Sequence, residues 1–140
     1  MGTLRMPDDV TIGKLLVAAK EAMKMSYAPY SQFNVGAALL DSDGNIFTGC
    51  NVENASHGAA ICAERTAITK AISEGAREFE AIAIVGGPHG EVRKNTTPPC
   101  GICRQVLSEL CPPDMPVILG KEEGFECYSV EELLPVGFIL

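Results

Sequence analysis

Basic side chains are scarce: 11 Lys and Arg stand against 18 Asp and Glu, a net charge of −7. A nucleic-acid binder presents a basic face that displaces counterions from phosphates, so this balance argues against a polyanionic partner and favours a small or neutral ligand. Long apolar runs are also missing. No stretch approaches the ~20 apolar residues needed to span a bilayer, and the opening MGTLRMPDDV lacks the apolar segment of a signal peptide. The expectation is a cytoplasmic protein with neither a membrane nor a nucleic acid as partner. Internal repeats, low-complexity tracts and linkers are absent as well. A chain of 140 residues with 46% hydrophobic and 21% charged side chains therefore reads as one domain, residues 1–140.

What the chain does have is thiols. In a reducing compartment its six cysteines stay unpaired, so metal binding or plain burial explains them better than disulfides do. Two of them stand in PPCGICRQ, residues 98–105, as a Cys-x-x-Cys pair open to three readings: a redox dithiol, half of a structural zinc site, or part of a catalytic metal site.

Periodicity places this pair in a layered fold. Residues 11–24 carry Ile12, Leu15, Leu16, Ala19 and Met23 at helical spacing, with Asp8, Asp9 and Thr11 as candidate caps. FNVGAALL, DSDGN and NIFTGCNVE predict a hairpin closed by an Asp-Gly turn. From Cys62, the residues Ala63, Ala67, Ile68, Ala71 and Ile72 form an apolar helical face that ends near Gly75. EFEAIAIVGG predicts a buried strand, HGEVRKNTT a loop, CGICRQVLSEL a helix stopped by Pro112, and MPVILG another strand. The tail FECYSVEELLPVGFIL adds a strand and a helical turn. The order implies a layered α/β domain around a mixed sheet.

A PCGIC that opens a helix after a strand suits a redox dithiol, and its position alone does not exclude one. A zinc site needs a third protein ligand, and Cys62 of ICAER supplies a candidate that also opens a predicted helix. Cys100 and Cys103, at i and i+3, share a face. Cys62 and Glu64 converge on one site only if Cys62 stands at the very start of its first turn, because successive helical residues are ~100° apart. Three thiolates leave the fourth tetrahedral position open, which distinguishes a catalytic from a structural zinc. They also give the site a net charge near −1, which two positive helix ends and Arg65 could offset. Glu64 is then free to move protons.

Cys-x-Glu followed by Pro-Cys-x-x-Cys is the signature of zinc deaminases. More widely, YAPYSQFNVGAALL, NVENAS, CAERTA, PCGICRQVL and ELLPVGF resemble, in the same order and along nearly the whole chain, the small homotetrameric cytidine deaminases. The resemblance implies a three-layer α-β-α domain around a mixed sheet of about five strands. It implies one Zn2+ per subunit on Cys62, Cys100 and Cys103, with Glu64 as general acid and base and Arg65 neutralising the thiolates. By the same resemblance, Asn51 and Glu53 hydrogen-bond the sugar hydroxyls, Phe33 stacks on the pyrimidine, and the Ala63 amide holds the ring carbonyl. Phe138 reaches a neighbouring subunit's site in a homotetramer whose active sites lie at subunit junctions. The implied reaction is hydrolytic deamination of cytidine and 2′-deoxycytidine, in which a zinc-bound hydroxide attacks and Glu64 shuttles protons, a step of pyrimidine salvage. His57 stands where the family often has tyrosine, and Pro98 where many members have serine.

Each residue also has a plainer reading. Cys50, Cys111 and Cys127 are taken as small core residues. Alone, Glu64 is a solvated carboxylate at a helix start, Arg65 a surface cap, and Phe33 a core aromatic on a strand. Asn51 and Glu53 alternate as the wet side of a strand would. His57 reads as structural or interfacial and His89 as part of a turn. Other functions stay open: deamination of another aminopyrimidine nucleoside such as blasticidin S, a non-catalytic zinc-binding module, or a dithiol oxidoreductase.

Overall fold

The computed structural model describes residues 4–140; residues 1–3 of the N-terminal segment lie outside the described residues. Helix α1 (Asp9–Met23) starts two residues earlier than the apolar pattern predicts. The reason is its cap: the Asp8 carboxylate accepts the Thr11 N–H at 2.8 Å. Strands β1 (Phe33–Asp41) and β2 (Ile46–Cys50) form the expected hairpin, followed by a single 3-10 turn (His57–Ala59) and α2 (Ala63–Ser73). Then come β3 (Phe79–Pro88), α3 (Gly101–Leu110), β4 (Pro116–Gly120), β5 (Phe125–Ser129) and the one-turn α4 (Val130–Leu133). Gly75, at φ +101°, ends α2 as predicted.

The five strands lie in the order β2-β1-β3-β4-β5, and only β3 and β4 run parallel. Alternation divides the strands between two cores. Ala37, Leu39, Ile82, Ile84, Val117 and Leu119 face α2 and α3. Ala38, Leu40, Ala81, Ala83, Val85 and Ile118 face α1. The result is the three-layer α-β-α arrangement around a mixed five-stranded sheet. No helix among the described residues is long and apolar enough to cross a membrane.

The sheet's directions fix where a site can form. Both β2 and β3 run antiparallel to β1, so they point the same way and their C-terminal ends leave from one edge. Phe33, the first residue of β1, pairs with Pro88 at that edge. From there the chain returns as α2 and α3, so both helix N-termini and the start of β1 gather at the carboxyl ends of the strands, where open α/β sheets bind ligands. Gly49 sets the depth of α2, since a Cβ there would lie 2.5 Å from the Ala67 backbone nitrogen. Only glycine lets the helix lie this close.

Candidate metal centre and substrate site

Cys62 and Cys100 are the N-caps of α2 and α3, with extended backbones at φ −78°, ψ 156° and φ −68°, ψ 171°. The condition for Cys62 and Glu64 to share a site is thus met, since Cys62 stands just ahead of the first turn. Neither cysteine spends its side chain on capping its helix. Cys103, in the first turn of α3, is fully buried. The three Sγ atoms lie within 4.8 Å of one another, with Cys62 to Cys100 at 3.6 Å and Cys100 to Cys103 at 3.5 Å. Sulfurs bonded to a tetrahedral zinc at ~2.3 Å stand ~3.8 Å apart, whereas a disulfide needs ~2.05 Å. The donor set and its spacing fit one zinc ion, and the three-way convergence favours a metal site over a dithiol.

Arg65 lies beside this cluster, with Nη2 3.7 Å from Cys62 Sγ and its buried Nε without a protein partner among the described residues. The Cys62 thiol is lowered to about 5, mainly by the hydrogen bond from Cys103 and, against burial, by Arg65 and Cys100. Cys103 is pushed far up by that same bond, by burial and by the charges of Glu64 and Cys62. A second thiolate beside the first therefore requires a cation, which is the role a metal fills.

Glu64 is 4% exposed, and burial pushes its carboxyl up to about 7. Its own backbone amide opposes the shift and the charge of Cys62 adds to it. A carboxyl poised near neutrality both gives and takes protons. Ala63, at the first position of α2, is also fully buried.

Asn51 and Glu53 do not lie on the hairpin strand as the sequence pattern suggests. Strand β2 ends at Cys50, because Val52 leaves the sheet and bridges between Tyr27 and Ile61. The Glu53 side chain is instead tied into the segment before β1, and that of Asn51 into this segment and the first residues of β1 itself. Asn51 Oδ1 accepts from Ser26 Oγ and the Val35 N–H, and its Nδ2 donates to the Phe33 carbonyl. Glu53 accepts from the Tyr30 and Ser31 amides and from the Ser31 hydroxyl, contacts that hold its carboxyl below the usual carboxylate range. The plainer reading of the pair as a strand's wet side is thereby overturned.

Phe33 is half-buried, and the Arg93 guanidinium lies over its ring at 5.2 Å from the centroid. Phe138 is 68% exposed, its carbonyl accepting from Gln105 Nε2 of α3. His57 is exposed, and His89 sits in a turn at φ 54°. Of the three cysteines assigned to the core, Cys111 is buried, while Cys50 and Cys127 are only half-buried because they lie on the sheet's two outer strands. Sequence reading did not name Ser26, Ser31 or Arg93. The first two stand around the turn YAPYS, and nothing in their spacing signals which side chains they hold.

Two helix starts that aim three thiols and a buried carboxyl at one point define a hydrolytic metal site. The family model described as the cytidine and deoxycytidylate deaminase zinc-binding region matches residues 10–119. A cytidine deaminase from Halalkalibacterium halodurans is 50% identical over 125 residues, covering 89% of this chain and 91% of that protein. A crystal structure of cytidine deaminase from Burkholderia pseudomallei superposes with a TM-score of 0.83 at 47% identity, covering 90% of this chain and 98% of that one. Blasticidin-S deaminase from Bacillus cereus is 30% identical over 128 residues, 89% of this chain and 90% of that protein. The chain belongs to the cytidine deaminase family.

Proposed function

We propose that this chain is a zinc-dependent hydrolase that converts cytidine and 2′-deoxycytidine to the corresponding uridines and ammonia, as one domain of residues 1–140. The observation that carries the reading is the buried Glu64 carboxyl beside the three-sulfur cluster of Cys62, Cys100 and Cys103. These cysteines hold the ion, and the N-termini of α2 and α3 together with Arg65 offset the thiolate charge. Zinc, when bound, supplies a Lewis acid that brings the pKa of water from ~15.7 toward ~7.

The protein's own groups do the rest. Glu64 accepts a proton from the attacking water and gives it to the ring nitrogen next to the amine-bearing carbon. Once the oxygen has added to that carbon, Glu64 takes the remaining proton from the added hydroxyl and delivers it to the amine; the C–N bond breaks, ammonia leaves, and the added oxygen becomes the new ring carbonyl. The Ala63 amide, at the first position of α2 where a helix N–H has no intrahelical partner, holds the substrate's ring carbonyl. Phe33 offers the pyrimidine the ring face that Arg93 does not cover. Asn51 and Glu53 read the sugar, which makes this a nucleoside enzyme rather than a base deaminase.

The exposed apolar tail, with Val136, Phe138, Ile139 and Leu140 between 68% and 107% exposed, supports a homotetramer in which Phe138 reaches a neighbouring active site. The acidic net charge supports small nucleosides, not polynucleotides, as the substrates of what we read as a cytoplasmic enzyme of pyrimidine salvage. Identity favours cytidine over blasticidin S, at 50% against 30%.

The test is ammonia release by the zinc-loaded protein from cytidine, deoxycytidine, cytosine, adenosine and blasticidin S. Cytidine and deoxycytidine should be the good substrates. Release only from blasticidin S, or from none of the five, would overturn the assignment.

A further inference from the structure

Among the described residues, Asn51 stands in a cage that leaves its amide a single free group. Its Oδ1 accepts from Ser26 Oγ at 2.5 Å and from the Val35 N–H at 2.8 Å, and its Nδ2 donates to the Phe33 carbonyl at 2.9 Å. A primary amide has two acceptor lone pairs and two N–H donors, so both lone pairs and one donor are spent. The backbone fixes which way round the amide lies, because Val35 N–H can only donate and the Phe33 carbonyl can only accept. What remains for a ligand is one N–H.

Ser26 supplies the only side-chain contact among these three. It lies ahead of a short zipper in which the Tyr27 N–H donates to the Asn51 carbonyl at 3.1 Å and the Glu53 N–H donates to the Tyr27 carbonyl at 2.8 Å. That backbone pairing places residue 26 opposite the Asn51 side chain whatever residue 26 carries. Without its hydroxyl, Oδ1 keeps one open lone pair in a part-buried position. The amide then gains an alternative partner for incoming hydroxyl groups and loses one of the restraints on its direction.

We propose that Ser26 is a positioning residue for sugar recognition: by saturating Oδ1 it makes Asn51 a pure donor, so the nucleoside hydroxyl it meets must accept. Glu53 is the complement, a carboxylate whose oxygens can only accept, so the two residues together distinguish a hydroxyl in a defined orientation from a generic polar group. The proposal rests on the reading of Asn51 as a sugar contact.

The experiment assays zinc-loaded wild type, Ser26→Ala, Ser26→Thr and Asn51→Ala on cytidine and on three analogues, each lacking one sugar hydroxyl. Thermal midpoint and bound zinc are recorded for each protein. The Asn51→Ala loss should shrink on one analogue, and the Ser26→Ala loss should shrink on that same analogue. On cytidine Ser26→Ala should lower kcat/KM roughly fivefold, the weight of one neutral hydrogen bond, with midpoint and zinc content unchanged and with activity recovered in Ser26→Thr. If Asn51→Ala is hydroxyl-selective while Ser26→Ala is fully active or equally impaired on all four substrates, Ser26 has no positioning role although the sugar reading stands. If Asn51→Ala loses proportionally on all four, the sugar reading fails, and the role of Ser26 fails with it.

Discussion

The sulfurs of Cys62 and Cys100 lie 3.6 Å apart although 38 residues separate them in the chain, and each residue caps a helix. The pairing exists because β2 and β3 end at the same edge of the sheet and both chains turn back there into helices. It also aims two helix N-termini, each equivalent to roughly half a positive charge, at the same sulfurs. Those two ends nearly cancel the single negative charge that three thiolates leave on a divalent ion.

That geometry makes Cys62 a ligand on equal terms with the Cys-x-x-Cys pair. Cys62→Ala should bind zinc at least ~100-fold more weakly, since even residues that only support ligands cost 10–100-fold. Activity should disappear with the metal. Zinc content after dialysis against a competing chelator is the measurement, and one zinc retained per chain with unchanged affinity would refute the three-thiolate site. A dithiol oxidoreductase, by contrast, would need Cys100 and Cys103 and be nearly indifferent to Cys62.

Glu64 is buried and has lost most of its access to water, so its role can be isolated by an isosteric change. Glu64→Gln keeps the shape and should keep fold and zinc, but it cannot carry protons. Turnover of cytidine should fall by at least ~100-fold. A purified, zinc-loaded variant retaining more than about a tenth of wild-type turnover would remove Glu64 from the proton-transfer role.

Much of this was legible in the sequence because the signals were local. The 3.6-residue pattern of α1 and α2, the Asp-Gly hairpin and the Cys-x-x-Cys spacing each lie within a few turns of chain, and each element forms, with α1 starting two residues early at its Asp8 cap. The extent of β2 was not legible. FTGCNVE continues the alternation of a strand, but at Val52 the chain exchanges β1 for partners at Tyr27 and Ile61, a choice made by tertiary pairing. For the same reason the partners of Asn51 and Glu53 were hidden: Ser26 and Ser31 lie more than twenty residues away in the chain, and a lone serine beside a proline turn carries no signal of what its hydroxyl will hold. Arg93 over Phe33 is a similar case, the two standing 60 positions apart in the chain.

The hairpin turn carries a pH dependence whose sign can be worked out. Burial alone would raise the Asp41 carboxyl, but the Asn45 side chain and the amides of Asn45, Asp43 and Gly44 outweigh it and hold it below its ordinary value. The oxygens accept from the Asn45 N–H at 2.7 Å, the Asp43 N–H at 3.0 Å and Asn45 Nδ2 at 3.1 Å. A folded-state value below the unfolded one means that the unfolded chain takes up the proton first as pH falls. The contribution is therefore fully present above about pH 4 and is lost as pH drops through the folded value. Chemical denaturation of wild type and Asp41→Asn should show a stability difference that is constant from pH 6 to neutrality and narrows below about pH 4. A difference that stays constant down to pH 3 would show that the carboxylate charge contributes nothing.

Glu53 has two possible duties in this structure, and one comparison separates them. Its carboxylate ties down the turn before β1 through the Tyr30 and Ser31 amides and the Ser31 hydroxyl, and in the proposed function it also meets the sugar. A site built to hydrogen-bond a sugar leaves its polar groups unpaired when the sugar is missing, which can cost ~10⁴-fold or more. Free cytosine should thus be a very poor substrate, in turnover as well as in binding, because remote contacts orient the ring against the attacking water. Glu53→Ala should lower kcat/KM for cytidine by ~100-fold or more, the loss of a charged hydrogen bond together with its orienting effect. On cytosine, which never engages Glu53, the same change should cost little beyond what a loosened turn costs. Wild type and Glu53→Ala are therefore measured on both substrates. Equal proportional losses would assign Glu53 to the turn alone, since a loosened turn displaces Phe33 and Asn51 for either substrate, and recognition of the sugar would then have to come from Asn51 or from a neighbouring subunit.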